Sequence, residues 1–350
     1  MSAARDVFSA PGGRVTLSHG GGGRAMRQLI EGVLLPAYGN ALLAPLEDQA
    51  RISVMELACL GDRLAFTTDT YVVSPIEFPG GDIGRLAVFG TVNDLAVAGA
   101  RPLYLSCGLV LEEGLEMAVL GRVAHSMGLA AREAGVKIVT GDTKVVERGA
   151  ADRIFINTAG VGVVPRGAQI SASGAQPGDV LMVNGSLGDH GIAILIARNQ
   201  LALEADVASD SQPLHGLVAA MLAACPDIHC LRDATRGGLA TVLSEFASAS
   251  EVCIRVREAA LPIKDVVRGA CEILGLDPLY LANEGKLAAI VPGAAADAVL
   301  AAMRAHPAGR ESAIIGEVTS APAGCVILST AFGGDRIVDM LAGEQLPRIC

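Results

Sequence analysis

Short apolar runs of strand length alternate with longer helical patterns along most of the chain. "LAFTTD" is followed by "DIGRLAVFGTVNDLAVAGARP", and "PLYLSCGLVL" by "EMAVLGRVAHSMGLAAREAG"; "VKIVTGDTKVV" and "RIFINTAGVGVV" come next. Such alternation restricts the fold to an α/β arrangement, with helices covering sheets. The stretch "PRGAQISASGAQPGD", rich in Gly, Ser and Pro, reads as a boundary. Beyond it the alternation resumes. "DVLMVNGSLGDHGIAILIAR" is strand, Gly-rich loop and helix, and "IHCLRDATRGGLATVLSEFASAS" is a loop leading into a helix. "KLAAIVP", "AAADAVLAAMRAH" and "SAIIGEVT" read as strand, helix and strand. A chain of 350 residues exceeds one ordinary core and implies two domains. The expected organisation is a leader over 1–14, an N-terminal domain over 15–165, a C-terminal α/β domain over 175–335, and a mobile tail over 336–350.

Composition narrows the function classes. An apolar content of 51% is incompatible with disorder. The net charge of −10, with no basic cluster interleaved with aromatics, argues against nucleic acid as a partner. No apolar stretch follows a basic start, and no charge-free run of membrane-spanning length occurs, so neither a secretion signal nor a membrane span is expected. The eight cysteines are scattered, at 59, 107, 225, 230, 253, 271, 325 and 350. Most read as small buried hydrophobes in a reducing cytoplasm.

Several acidic residues share a setting: Asp69 in "FTTDT", Asp94 beside Asn93 in "TVNDLAVAGA", Asp142 in "VTGDTK" and Asp233 in "LRDATRGG". Each reads as standing at a strand end or in a loop next to a helix, where α/β proteins place ligands. Hard oxygen ligands with open positions suit Mg2+ carried on nucleotide phosphates. Each carboxylate taken singly also fits a helix cap or turn. Gly21 and Gly22, in "SHGGGGRAMR", offer backbone N–H groups before a helix, as a phosphate cradle or equally as a simple flexible loop. No G-x-x-x-x-G-K-[ST] loop is present. Lys144 in "GDTK" and Glu284 in "LANEGK" can serve as acid, base or charge clamp near phosphate, or as plain turn residues. The "CPDIHC" spacing does not favour zinc. His125 and His215 lie in helical patterns and read as structural, while His190 lies in a loop that could border the site. The chain closes on "GEQLPRIC", where Cys350 is the last residue. Terminal residues ordinarily fray, but the fifteen from Arg336 to Cys350 could reach about 50 Å if extended.

In order, "GGGGRAMRQLI", "TTDT", "GRLAVFGTVNDLAVAGARP", "VTGDTKVV", "DATRGGLATVLSE", "ANEGKLAAIV" and the terminal "PRIC" resemble the HypE family, the carbamoyl dehydratases of nickel–iron hydrogenase maturation. The resemblance runs from about residue 15 to the end, with no departure at the motif positions. The wider ATP-binding superfamily includes aminoimidazole ribonucleotide synthetase and selenophosphate synthetase. The resemblance implies a two-domain PurM-like α/β fold. Its N-terminal mixed-sheet domain forms a homodimer by pairing sheets, its C-terminal α/β domain completes the nucleotide site, and its tail is flexible. It also implies a cytoplasmic reaction. A carbamoyltransferase, HypF, loads a carboxamide onto Cys350; ATP activates the carboxamide oxygen; loss of phosphate and a proton leaves an S-cyanate. The cyano group passes to iron held by a HypC–HypD complex. By the same resemblance Glu284 and Lys144 handle protons. Gly21, Gly22, Asp69, Asn93, Asp94, Asp142 and Asp233 bind ATP, with Mg2+ on Asp69, Asp94, Asp142 and Asp233. Two alternatives stand beside this reading. A selenophosphate synthetase usually carries a thiol or selenol in its Gly-rich region, where this chain has Ser18 and His19. A non-catalytic dimeric thiol carrier explains the tail but not the acidic residues.

Overall fold

The computed structural model describes residues 13–199, 206–341, 343 and 346–350; the expected leader lies outside it up to residue 12. The N-terminal half builds β1 (Arg63–Tyr71), α1 (Ile83–Val97), β2 (Arg101–Glu112), α2 (Met117–Glu133), β3 (Lys137–Val146) and β4 (Ile154–Val164). The strands form one sheet in the order β1-β4-β2-β3. Only β2 and β3 run parallel, so the sheet is mixed. Helix α1 starts where the Asp82 carboxylate accepts from the Gly84 and Arg85 N–H groups. It is apolar on almost every side, as a helix buried between layers must be.

One face of this sheet carries α1 and the core, and the other is open. Along β1 the exposed positions include Leu64 at 62% and Phe66 at 72%, whereas Tyr71 is 1% exposed. Before the sheet, residues 24–38 are helical with a π turn at Ile30–Leu34, and they lie against α2, where Arg132 donates to the Ala37 carbonyl.

The C-terminal half builds β5 (Val180–Val183), α3 (Asp189–Ala197), α4 (His215–Ala224), β6 (Cys230–Asp233), α5 (Gly238–Ser250), β7 (Cys253–Arg257), α6 (Asp265–Leu274), β8 (Leu287–Val291), α7 (Ala296–Ala305), β9 (Ala313–Thr319), β10 (Cys325–Ser329) and β11 (Asp335–Val338). Its sheet runs β11-β10-β7-β9-β5-β8-β6. Leu239, Leu243 and Phe246 of α5 cover one face; Leu217 and Met221 of α4, with Val299 and Met303 of α7, cover the other. Strand β8 is therefore buried at every position, which is why "LAAIV" is continuously apolar. Ala96 and Val97 of α1 join this second core and tie the halves together.

Three sequence expectations shift. Strands β7, β10 and β11 and helix α6 were not legible. Strand β11 extends to Val338, so residues 336–338 of the expected tail belong to the sheet. Asp142 and Asp94 do not sit in loops: Asp142 is inside β3 and Asp94 inside α1.

Candidate active site

The terminal residues are seated in the body of the protein rather than frayed. Ile349 is 3% and Cys350 9% exposed, and both belong to the N-terminal core with Tyr71, Phe78 and Phe89. They lie alongside residues 72–74, where the Val72 N–H donates to the Cys350 main-chain oxygen at 3.0 Å and the Ser74 N–H to the Arg348 carbonyl at 3.3 Å. The Arg348 side chain donates to the Val72 carbonyl at 3.0 Å and to Asp152 at 2.6 Å.

Next to the tail stands a buried polar group. His190, fully buried in the first turn of α3, has Nε2 2.8 Å from the Ile349 carbonyl and Nδ1 2.8 Å from Ser209 Oγ. A carbonyl only accepts, so Nε2 carries the proton. Burial holds the imidazole pKa below its ordinary value and favours the neutral ring. The same Nε2 lies 3.9 Å from Glu284 Oε1. Glu284 is 3% exposed, and its Oε1 has no hydrogen-bond partner among the described residues. Burial first, then the charges of Asp210, Asp233 and Asp69, push its pKa well above the usual carboxylate range. Its main chain is fixed on both sides: its N–H donates to Asp210 Oδ1 at 3.0 Å, and its carbonyl accepts from Asn93 Nδ2 at 3.2 Å. The Tyr71 hydroxyl is likewise buried, its pKa raised by burial and by Asp69 against the opposing effect of Thr91.

Three of the expected acidic residues converge close by, although they arrive on β1, α1 and β6. Asp94 accepts from Thr67 at 2.9 Å. Burial and the neighbouring Asp69 raise its pKa to about 6, while burial and Asp94 raise that of Asp233 to about 7. Arg236 stands 3.8 Å from Asp69, and Arg232 is turned to Glu245 at 2.6 Å. The stretch "DATRGG" gains its shape from Gly238, at φ +62°, where an added Cβ would lie 2.4 Å from the Leu279 carbonyl oxygen. A cavity of about 110 Å³ separates this turn from the tail, lined in part by Arg236, Thr241, Leu346 and Ile349.

Asp142 and Lys144 are elsewhere. Cross-strand neighbours share a face, and Thr70, Asn157, Gly108 and Asp142 are paired across the sheet. That row faces outward, whereas Asp69 pairs with Thr158, which bonds Thr91 of α1 at 2.6 Å on the inner face. Asp142 and Lys144 are therefore on the far face from Asp69, ion-paired with each other at 3.1 Å and mostly exposed. The glycine turn accompanies them: a Cβ on Gly20 would meet the Val145 nitrogen at 2.6 Å, and Gly21 and Gly22 are exposed beyond it. A cavity of about 480 Å³ opens at this edge, lined by Ile30, Leu34, Tyr38, Cys107 and Asp142 among others. Asn93 does not face the acidic cluster with its amide. It bonds the main chains of Gln212, Leu214 and Glu284 and so positions the base candidate. His190, expected in a loop bordering the site, does border it but from the first turn of α3; Tyr71 is the site residue that sequence reasoning missed, because a tyrosine ending a strand carries no signal of a buried hydroxyl.

Among the described residues no three His, Cys, Asp or Glu side chains close on one ion by themselves. Asp94 and Asp233, each destabilised by a like charge, fit a divalent ion whose remaining ligands are phosphate oxygens.

The fold and site define the class. The AIR synthase related protein family matches with its N-terminal domain over residues 48–164 and its C-terminal domain over 176–328. Within that class the carbamoyl dehydratase HypE of Azotobacter vinelandii is 56% identical over 338 residues, covering 97% of this chain and 98% of that protein. A crystal structure of the hydrogenase maturation protein HypE in complex with ATP superposes with a TM-score of 0.91 at 52% identity, covering 96% of this chain and 99% of that one. A HypE–HypF complex matches with a TM-score of 0.77 at 44% identity, covering 89% and 99%. The chain belongs to the HypE carbamoyl dehydratase family.

Proposed function

We propose that this chain dehydrates a carboxamide carried on its own Cys350 sulfur to an S-cyanate at the expense of ATP, in the cytoplasm, supplying the cyano ligands of a hydrogenase iron. One observation carries the reading: the terminal peptide is held beside a buried carboxyl whose Oε1 has no hydrogen-bond partner among the described residues, with His190 Nε2 2.8 Å from Ile349 and 3.9 Å from Glu284. A carboxamide oxygen is a poor leaving group until phosphorylated. Transfer of the γ-phosphoryl group to that oxygen, with loss of one nitrogen proton, gives an S-linked imidate phosphate. Loss of the second nitrogen proton with phosphate closes the C≡N bond. Glu284 is suited to take a nitrogen proton, because its raised pKa makes it a stronger base than an ordinary carboxylate. Asp69, Asp94 and Asp233 would hold Mg2+ together with the phosphates, and the ion would neutralise charge on the transferring phosphoryl group.

Asp142 and Lys144 need a second copy to take part, since they lie on the open face of the sheet, and the Gly21–Gly22 turn sits at the β3 edge beside them. A homodimer joined through that face, with Leu64 and Phe66 in the contact, would bring one chain's Asp142 and Lys144 toward the other's nucleotide. A HypE–HypF complex is known among the relatives; here a HypF-type carbamoyltransferase would load the tail, and a HypC–HypD complex would receive the cyano group. The test is phosphate release by purified protein whose tail has been loaded beforehand. One phosphate per loaded tail is expected, with little from unloaded protein. Phosphate release indifferent to loading would overturn the reading.

A further inference from the structure

The two ends of α3 hold the tail by its main chain. At the start of the helix His190 donates to the Ile349 carbonyl at 2.8 Å. Just past its end, the half-buried Arg198 donates through Nη2 to the Pro347 carbonyl at 2.9 Å and the Arg348 carbonyl at 2.6 Å. Its Nε bonds the Ser74 carbonyl at 2.7 Å, on the segment along which the tail lies. Arg198 thus ties tail and body with one rigid fork, a geometry a flexible ammonium cannot reproduce. Each of these bonds ends on a backbone carbonyl.

We propose that His190 and Arg198 form a clamp for the terminal residues that places the Cys350 sulfur at the site whether the sulfur is bare or loaded. They are positioning residues, and the role rests on Cys350 being the carrier proposed above. Because the clamp reads main chain, addition of a carboxamide leaves its bonds intact. Because it competes with release of the tail, it opposes loading by another protein while favouring the dehydration step. His190 adds a link to the base: its Nε2–H is engaged by Ile349 when the tail is in, and Glu284 Oε1 has no hydrogen-bond partner among the described residues.

The measurement is the rate at which iodoacetamide alkylates Cys350 in the full-length protein, read by mass spectrometry of the C-terminal peptide. Cys107, at 3% exposure in the core, is followed in the same digest. Arg198→Ala should speed Cys350 alkylation at least about ten-fold, which the loss of even one of its two charge-assisted hydrogen bonds to the tail would give at equilibrium, with Cys107 unmoved. His190→Ala should do the same, and His190→Gln, whose amide can still donate to Ile349, should stay near the parent. Loading by the transferase should be no slower in Arg198→Ala, while water loss from the loaded tail falls. Unchanged Cys350 alkylation in Arg198→Ala, or a rise only in step with Cys107, would overturn the clamp. Alkylation needs neither ATP nor the transferase. Failure of the dehydration reading would appear separately, as a loaded parent tail that never loses water.

Discussion

In the proposed reaction Glu284 is the base, and its environment was invisible in "LANEGK". Nothing in six letters says that a glutamate is buried with one oxygen unpartnered; that comes from α1, through Asn93, and from Asp210. Glu284→Gln keeps the shape and removes the base. Phosphate release from loaded protein should drop about 10²- to 10⁴-fold, while the tail still accepts its carboxamide. Equal activity would assign the proton to another group. Asp94 and Asp233 lead to a pH prediction. Both hold protons more tightly in the folded chain, so between the ordinary carboxylate range and about pH 6 to 7 the folded state binds more protons than the unfolded one. Stability contributed by these two groups therefore falls as pH rises through that window. A bound Mg2+ displaces the protons, so Mg–ATP affinity should weaken at least ten-fold from about pH 8 to about pH 5.5. Calorimetric titration across that range checks it; a flat profile would remove these carboxylates from the metal site.

Elements were easier to read than their contents. Long segments with a clear period, such as α2 and β2, stood out because burial on one face imposes that period. The missed strands β7, β10 and β11 are four or five residues long, and "CIRVR" and "DRIV" are interrupted by arginines. Their assignment depends on neighbours in the sheet rather than on local pattern. The acidic residues show the same limit. "VTGDTK" looks like a turn because of its glycine and aspartate, yet pairing with β2 draws it into a strand and turns Asp142 to the outer face. The turn before α5 allows a test at this scale. In Gly238→Ala the new methyl would sit 2.4 Å from the Leu279 oxygen at a φ of +62°. Strain of this kind costs about 1–3 kcal/mol. The variant should melt several degrees lower and bind ATP more weakly, because the turn carries Asp233 and Arg236. An unchanged melting temperature would mean the turn relaxes freely.

At the scale of the whole molecule the site is divided. Asp69, Asp94, Asp233 and Glu284 lie on the inner side of the N-terminal sheet, with the tail, while Asp142 and Lys144 lie on its open side and the glycine turn lies against its β3 edge. The sequence listed these residues together and could not reveal which side of a sheet each takes. Phe66→Glu places a charge on the open face at a position 72% exposed in the single chain, so the fold should survive. The parent should behave as a dimer in light scattering and the variant as a monomer with strongly reduced ATP turnover; a monomeric parent would remove the second copy from the site. The central claim is that Cys350 carries the reacting group, and the mass of the C-terminal peptide tests it most directly. After loading by the transferase with carbamoyl phosphate, the peptide should gain a carboxamide; with ATP and Mg2+ it should then become lighter by one water, and Cys350→Ala should show neither change. A loaded peptide that never loses water with ATP and Mg2+ present, or product formation by Cys350→Ala, would contradict the account.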